Sequence, residues 1–158
     1  MTDRTTPTEL TNMILIENPD THQILVENRH NPNWPGVTFP GGHIDTGETI
    51  TASVIREAYE ETGLTISHPK LVGIKEWPLD NGARYIVFLY KTTEYTGDLT
   101  SSREGEIFWT TREKLTDGTY QLPHTFAEML PVFDNPDINE LALIKPTDAN
   151  SGWEIEWQ

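Results

Sequence analysis

The chain has 158 residues, no cysteine, and a formal charge of −14 from 25 acidic against 11 basic residues. That length suits one domain with a sizeable core, and the missing cysteine excludes disulfides, thiolate catalysis and zinc–thiolate sites. An acidic chain without a segregated basic patch repels long nucleic acids, and it accepts a small polyanion only where cations neutralise the site.

No apolar stretch approaches the ~20 residues of a membrane span, and the opening MTDRTTPTEL lacks the apolar core of a secretory signal, so the cytoplasm is the expected compartment. Residues 1–8 read as a polar lead-in. Leu10 to Glu17 and Gln23 to Glu27 read as strands, with Asn18-Pro19-Asp20 turning between them. Asn28 to Gly36 reads as a loop rich in Asn and Pro that carries Arg29, His30 and Trp34. Trp34 beside two prolines suits loop packing first, and in this position, near the glycines that follow, a cover for a base or ribose.

Gly42 to Leu64 is the most informative stretch, GHIDTGETITASVIREAYEETGL. Its middle reads as one helix, with Thr49 as the cap, in competition with Asp45 and Thr46, and Gly63 as a left-handed stop. Helical spacing of i, i+3, i+4 puts Glu57, Glu60 and Glu61 on one face, while Val54, Ile55, Ala58 and Tyr59 cover much of the rest. Clustered carboxylates repel each other, and a solvated acidic face or a bound hard cation would each offset that repulsion. Ahead of the stretch, Phe39-Pro40-Gly41-Gly42 permits close backbone approach, for a tight turn or for a phosphate or metal.

Further on, Pro69 to Pro78 reads as a strand, and Arg84 to Thr92 as a strand buried on both faces, with Asp80-Asn81-Gly82 turning between them. Ile107 to Thr110 reads as a short strand behind an acidic loop, and Arg112 to Leu115 as a helical turn. Leu122 to Phe133 reads as a helix with Pro123 in its first turn and Pro131 shortening or kinking it. The tail from Asp134 to Gln158 is polar and peripheral, and ends in Trp153-Glu154-Ile155-Glu156-Trp157, which suits an edge strand or surface cover. The whole is a single domain over 1–158, with 1–8 and 134–158 peripheral, in which mixed strands and helices form a sheet covered by helices.

Gly42 to Leu64 resembles the Nudix box, G-x5-E-x7-R-E-U-x-E-E-x-G-U with U apolar, at every specified position. A chance match at a given start is on the order of one in a billion. The resemblance implies an α/β/α sandwich with a mixed β-sheet, and hydrolysis of a nucleoside diphosphate linked to another group, assisted by Mg²⁺ with Mn²⁺ as the alternative. It implies that Glu57, Glu60 and Glu61 hold the metal together with the carbonyl of Gly41, and that Arg56 orients the glutamates. Glu48 matches an accessory acid; its other reading is a loop carboxylate near the positive helix N-terminus. Glu104 and Glu106 are candidates for a further ligand or base, Glu104 preferred.

The wider chain, roughly residues 10 to 133, is similar to the MutT branch, which sanitises oxidised nucleoside triphosphates such as 8-oxo-dGTP. On that likeness Phe39 lies against the base, Arg29 lies near sugar and phosphate, and His124 and Thr125 stand where MutT reads the purine with an asparagine. The expected partner is a small nucleotide, with no nucleic-acid polymer and no membrane. Hydrolysis of ADP-ribose or a dinucleoside polyphosphate, and a sensor that binds without turnover, are the other readings. The sequence leaves monomer and homodimer open.

Overall fold

Alternation along one strand sets the architecture of the computed structural model, which describes residues 2–145 and 152–158. Met1 and 146–151, parts of the lead-in and the tail, lie outside the described residues. In β1 (Thr8–Ile16), Met13 and Leu15 face one hydrophobic cluster while Ile14 and Ile16 face a second. Successive side chains of a strand point to opposite faces, so β1 is buried on both. Its parallel neighbour β7 (Arg84–Thr92) repeats the pattern, with Val87 and Leu89 in the first cluster and Phe88 and Tyr90 in the second.

The remaining strands in chain order are β2 (Ile24–Arg29), β3 (Gly36–Thr38), β4 (Gly41–His43), β5 (Thr65–Ser67), β6 (Lys70–Pro78), β8 (Glu94–Thr96), β9 (Gly105–Thr110), β10 (Glu140–Ile144) and β11 (Glu154–Trp157). A six-stranded sheet runs β11-β10-β6-β7-β1-β4, a three-stranded sheet β3-β2-β9, and a pair β5-β8. The large sheet is mixed: β1–β7 and β6–β10 are parallel and its other pairs antiparallel.

Helix α1 (Ile50–Thr62) buries Val54 and Ala58 in the second cluster, and α2 (Phe126–Asp134) buries Phe126, Met129, Leu130, Val132 and Phe133 in the first. The helices thus cover opposite faces, an α/β/α sandwich with a mixed sheet. The ends of α1 follow its sequence. Thr49 accepts from the Ala52 amide at 3.1 Å, and Gly63, at φ 78°, closes the helix by donating to the Tyr59 carbonyl at 2.9 Å.

Several expectations are corrected. Tyr59 is 59% exposed, because the buried stripe runs through Ser53, Val54, Ala58, Glu61 and Thr62. Strand β2 extends to Arg29, which is therefore a strand residue and not part of the loop. Helix α2 starts four residues later than expected: Thr125 adopts a left-handed φ of 62°, which no α-helix can run through, so Pro123 stays in the approach. Pro131 sits inside α2 at the cost of one backbone hydrogen bond, and the helix runs on to Asp134. The tail is not peripheral throughout. Strand β10 inserts between β6 and the edge strand β11, and its Leu141 is fully buried.

If β10 is integral to the sheet, Leu141→Ala leaves a cavity in the first cluster. It should lower unfolding stability by about 2–5 kcal/mol, read as a reduced urea midpoint at unchanged slope.

Candidate active site

A cavity of about 860 Å³ opens beside the N-terminal part of β1 and is walled by β4, α1, β2, β6 and the segment before α2. Gly41 and Gly42 form its edge where β4 pairs with β1. Gly41 is required by contact, since a methyl there would enter the Asn12 carbonyl, whereas a methyl at Gly42 would displace the Glu57 carboxylate. This close approach delivers the Gly41 amide to the Glu61 carboxylate, 2.8 Å away, and ties the start of the box to its helix.

Arg56 organises the outer acids. Its Nε and Nη2 donate to both oxygens of Glu48, at 3.1 and 2.6 Å, and Nη1 donates to Glu57 at 2.8 Å and to Glu60 at 3.1 Å. Nη2 also meets the His43 carbonyl at 3.0 Å. Such a bidentate fork fixes orientation as well as charge. The Glu48 carboxyl is held below its ordinary range by this hydrogen bond and by the Asp45 amide. The guanidinium is driven above its ordinary range, chiefly by Glu48.

The inner acids have no such partner. Glu27, Glu61 and Glu104 present carboxylate oxygens within 4.8 Å of one another. Glu27 is fully buried and neither of its oxygens has a hydrogen-bond partner among the described residues. Burial pushes the Glu27 carboxyl up to about 7, with Glu104 adding to the rise and Arg29 opposing it. Glu61 is pushed up to about 10 by burial and then by Glu27, against the Gly41 hydrogen bond. Glu57, half buried, is raised by burial as well.

The expected site residues separate. Glu57, Glu61, Glu104, Gly41, Arg29, Trp34, Phe39, His124 and Thr125 all line the cavity. Glu60 does not; its side chain is 55% exposed and held by Arg56. Glu48 likewise serves Arg56 from outside the cavity. Glu106 is exposed on β9, opposite Asn28, and lies away from the acid cluster that Glu104 joins. Phe39 is only 1% exposed and packs edge-on against Phe126 and Phe133, so it is a core residue of the floor more than an open stacking surface. Trp34 donates from Nε1 to the His124 carbonyl at 3.2 Å, and Arg29 stands 5.6 Å from its ring with Nε unpartnered.

Sequence reasoning missed Lys75, Trp77 and Tyr85, which also line the cavity, and Glu27, which joins the lining residues Glu61 and Glu104 in the acid cluster. Trp77 stacks on Tyr85 at 4.3 Å. An acid in the apolar run Ile24-Leu25-Val26-Glu27 and a lysine in Val72-Gly73-Ile74-Lys75 were the available signals, since a charge at an inward strand position is unusual.

The NUDIX domain model matches residues 8–133, and the chain belongs to that family. It is similar to the uncharacterized Nudix hydrolase YvcI of Bacillus subtilis, 36% identical over 75 residues that make up 44% of this chain and 48% of that protein. An NAD-capped RNA hydrolase NudC from Haemophilus influenzae is 33% identical over 90 residues, 55% of this chain and 33% of the other. The chain thus spans about half the length, or less, of these curated relatives. Among solved structures, a MutT protein from Bacillus halodurans superposes with a TM-score of 0.68 at 23% identity, covering 94% of this chain and 97% of that one.

The unpartnered Glu27 makes a stability prediction. An acid whose folded pKa is raised from 4.5 to about 7 binds more protons folded than unfolded in that interval, so stability falls as pH rises through it. In protein stripped of divalent cations by a chelator, Glu27→Gln should therefore raise unfolding free energy at pH 8, by up to about 3 kcal/mol. The gain should vanish near pH 4, where both states carry the proton; equal stability of the two proteins at pH 8 would contradict it.

Proposed function

We propose that the protein is a Mg²⁺-dependent nucleoside triphosphate pyrophosphohydrolase, releasing a nucleoside monophosphate and pyrophosphate, with an oxidised purine nucleotide such as 8-oxo-dGTP as substrate. The observation that carries this reading is the composition of the site: a carboxylate cluster, buried at Glu27 and Glu61, with no ion pair among the described residues, and an aromatic wall of Trp34, Trp77 and Tyr85.

The donor set fits the family's divalent cation. Hard oxygen ligands suit Mg²⁺, Mn²⁺ being the alternative, and the orphaned Glu27 oxygens among Glu61 and Glu104 are a site that positive charge would relieve. Glu27, Glu57, Glu61, Glu104 and the Gly41 carbonyl would hold it, whereas Glu60 is turned outward to Arg56. When bound, the cation supplies charge neutralisation on the phosphoryl oxygens.

The chain's own groups do the rest. Arg56 fixes Glu57 in place, as the hydrogen bonds above describe, so that a carboxylate need not reorganise as charge develops. A glutamate must accept the proton of the attacking water; Glu57, Glu61 and Glu104, which line the cavity, are the candidates, and Glu106, which does not line it, is dropped. Arg29, whose Nε has no partner among the described residues, suits the substrate's phosphate or sugar. The aromatic wall suits a base, and the cavity volume of about 860 Å³ is within the usual range for small-molecule sites.

A second reading has one observation behind it. A solved NUDIX domain of NrtR from Shewanella oneidensis, in complex with ADP ribose, superposes with a TM-score of 0.64 at 13% identity, so ADP-ribose is the competing substrate class. A polymeric substrate fits less well with the charge of −14. No described helix is long and apolar enough to cross a membrane, and a small nucleotide substrate suits the cytoplasm.

Purified protein with Mg²⁺ should release pyrophosphate from triphosphates, 8-oxo-dGTP ahead of dGTP. AMP with ribose phosphate from ADP-ribose would favour the second reading, and binding without product would make the protein a sensor. Glu57→Gln should lower kcat/KM by about 100-fold or more with an unchanged circular dichroism spectrum. Full activity in that variant would overturn the metal assignment.

A further inference from the structure

Lys75 is the one lysine on the cavity wall among the described residues, and nothing in the chemistry above uses it. It is 4% exposed on β6 and has no carboxylate within ion-pair distance among the described residues. The carboxylate whose charge acts on it is Glu128, not a member of the acid cluster, and burial lowers the ammonium pKa to about 8. Lys75 stays mostly protonated at neutral pH. A buried ammonium is costly to keep where methionine would pack as well, so its retention calls for a partner.

The surroundings aim that ammonium. Nζ donates to Thr125 Oγ1 at 2.7 Å, with the Thr125 carbonyl more distant at 3.4 Å. The Thr125 hydroxyl is itself committed as a donor to the His124 carbonyl at 2.7 Å, so toward Lys75 it can only accept. The same His124 carbonyl takes the Trp34 Nε1–H, which ties the indole to the lysine through one segment. Thr125 holds a left-handed φ of 62°, a conformation that non-glycine residues rarely adopt and that clusters at ligand sites. Nζ lies 5.9 Å from the Trp34 ring centre and 5.4 Å from that of Trp77. An ammonium has three donors and no acceptor, and at least one donor here has no protein partner among the described residues.

We propose that Lys75 reads the base: held by Thr125 between Trp34 and Trp77, it donates to the exocyclic oxygen of a 6-oxopurine. This rests on the nucleotide reading above and narrows it to guanine-type over adenine-type substrates. A donor-only group suits the O6 and N7 acceptors of guanine and opposes the amino group of adenine. Oxidation at C8 turns N7 into a donor but leaves O6 available, so an oxidised guanine still meets Lys75. Thr125 is then a positioning residue.

The decisive comparison is IMP against AMP, which differ at purine C6, with GMP beside them, each titrated by tryptophan fluorescence. The parent protein should bind IMP and GMP about tenfold or more tightly than AMP. Lys75→Met should erase that preference mainly by weakening IMP and GMP, and Thr125→Val should reduce it in part. Equal affinity of the parent for IMP and AMP overturns the proposal, whether or not the variants fold. So does an equal loss for all three in Lys75→Met, which would mark a phosphate ligand. Monophosphate binding needs no turnover. A retained IMP preference without triphosphate hydrolysis would sink the hydrolase reading and leave Lys75 as base reader. No binding of any nucleotide sinks both.

Discussion

Arg56 is the cation on which the packing of the box acids depends. Glu48, Glu57 and Glu60 converge on one guanidinium, and Glu48 takes two of its donors at once. The three would otherwise repel across one turn of helix and the loop before it. Because the side chain is only 27% exposed, the pairing is less screened than a surface bridge. Glu57 is thereby set at the cavity rim in one orientation, and Glu60 is drawn outward. Glu61, one position on, has no share in Arg56 and relies on the Gly41 amide instead.

That division leaves an imbalance inside. The arginine serves the outer acids, while Glu27, Glu61 and Glu104 face one another with a single backbone amide directed at Glu61. Packed apolar side chains would remove the cost, yet the fold brings these acids from three separate elements: β2, α1 and the loop before β9. Gly105 makes one of those approaches possible, because a side chain there would enter the Asn28 carbonyl and crowd Glu27. The same backbone economy at Gly41 and Gly42 lets β4 lie against α1. The site is therefore a matter of which residues are too small to obstruct it as much as of which residues act.

Local signals explain what could be read in the chain before its fold was known. Helix α1 was legible because its cap, its stop and its apolar stripe agree, and β7 because its run is long and uninterrupted. Helical spacing alone puts Glu57, Glu60 and Glu61 on one face and leaves a solvated face and a cation site open; it is the resemblance to the Nudix box that singles out Glu57, Glu61 and Arg56. Strands β3, β4, β5 and β8 are three residues each, too short for alternation to declare itself. The start of α2 was misplaced because proline at a first turn is common, and nothing local announces that Thr125 will turn left-handed. Glu27 and Lys75 escaped for a different reason. Each is a charge whose meaning comes only from partners remote in sequence, Glu61 for one and Thr125 for the other.

The same distinction bears on how much a relative can say about substrate. On the reading proposed above, the box helix and its glycines would act on a phosphoanhydride, a group that many nucleotides share. The groups that would tell one nucleotide from another sit elsewhere: Arg29 at the end of β2, Trp34 in the following loop, Lys75 and Trp77 on β6, and Thr125 before α2. A likeness confined to 59–90 residues is carried by fewer of these elements than the whole cavity needs, and the curated relatives it reaches bear names as different as NAD-capped RNA hydrolase and ADP-ribose pyrophosphatase. Chemistry common to the family would thus follow from the acids, and selectivity from the rest of the cavity wall. On that wall the donor set is cationic and the surfaces aromatic, which is what a planar ring bearing a carbonyl oxygen requires.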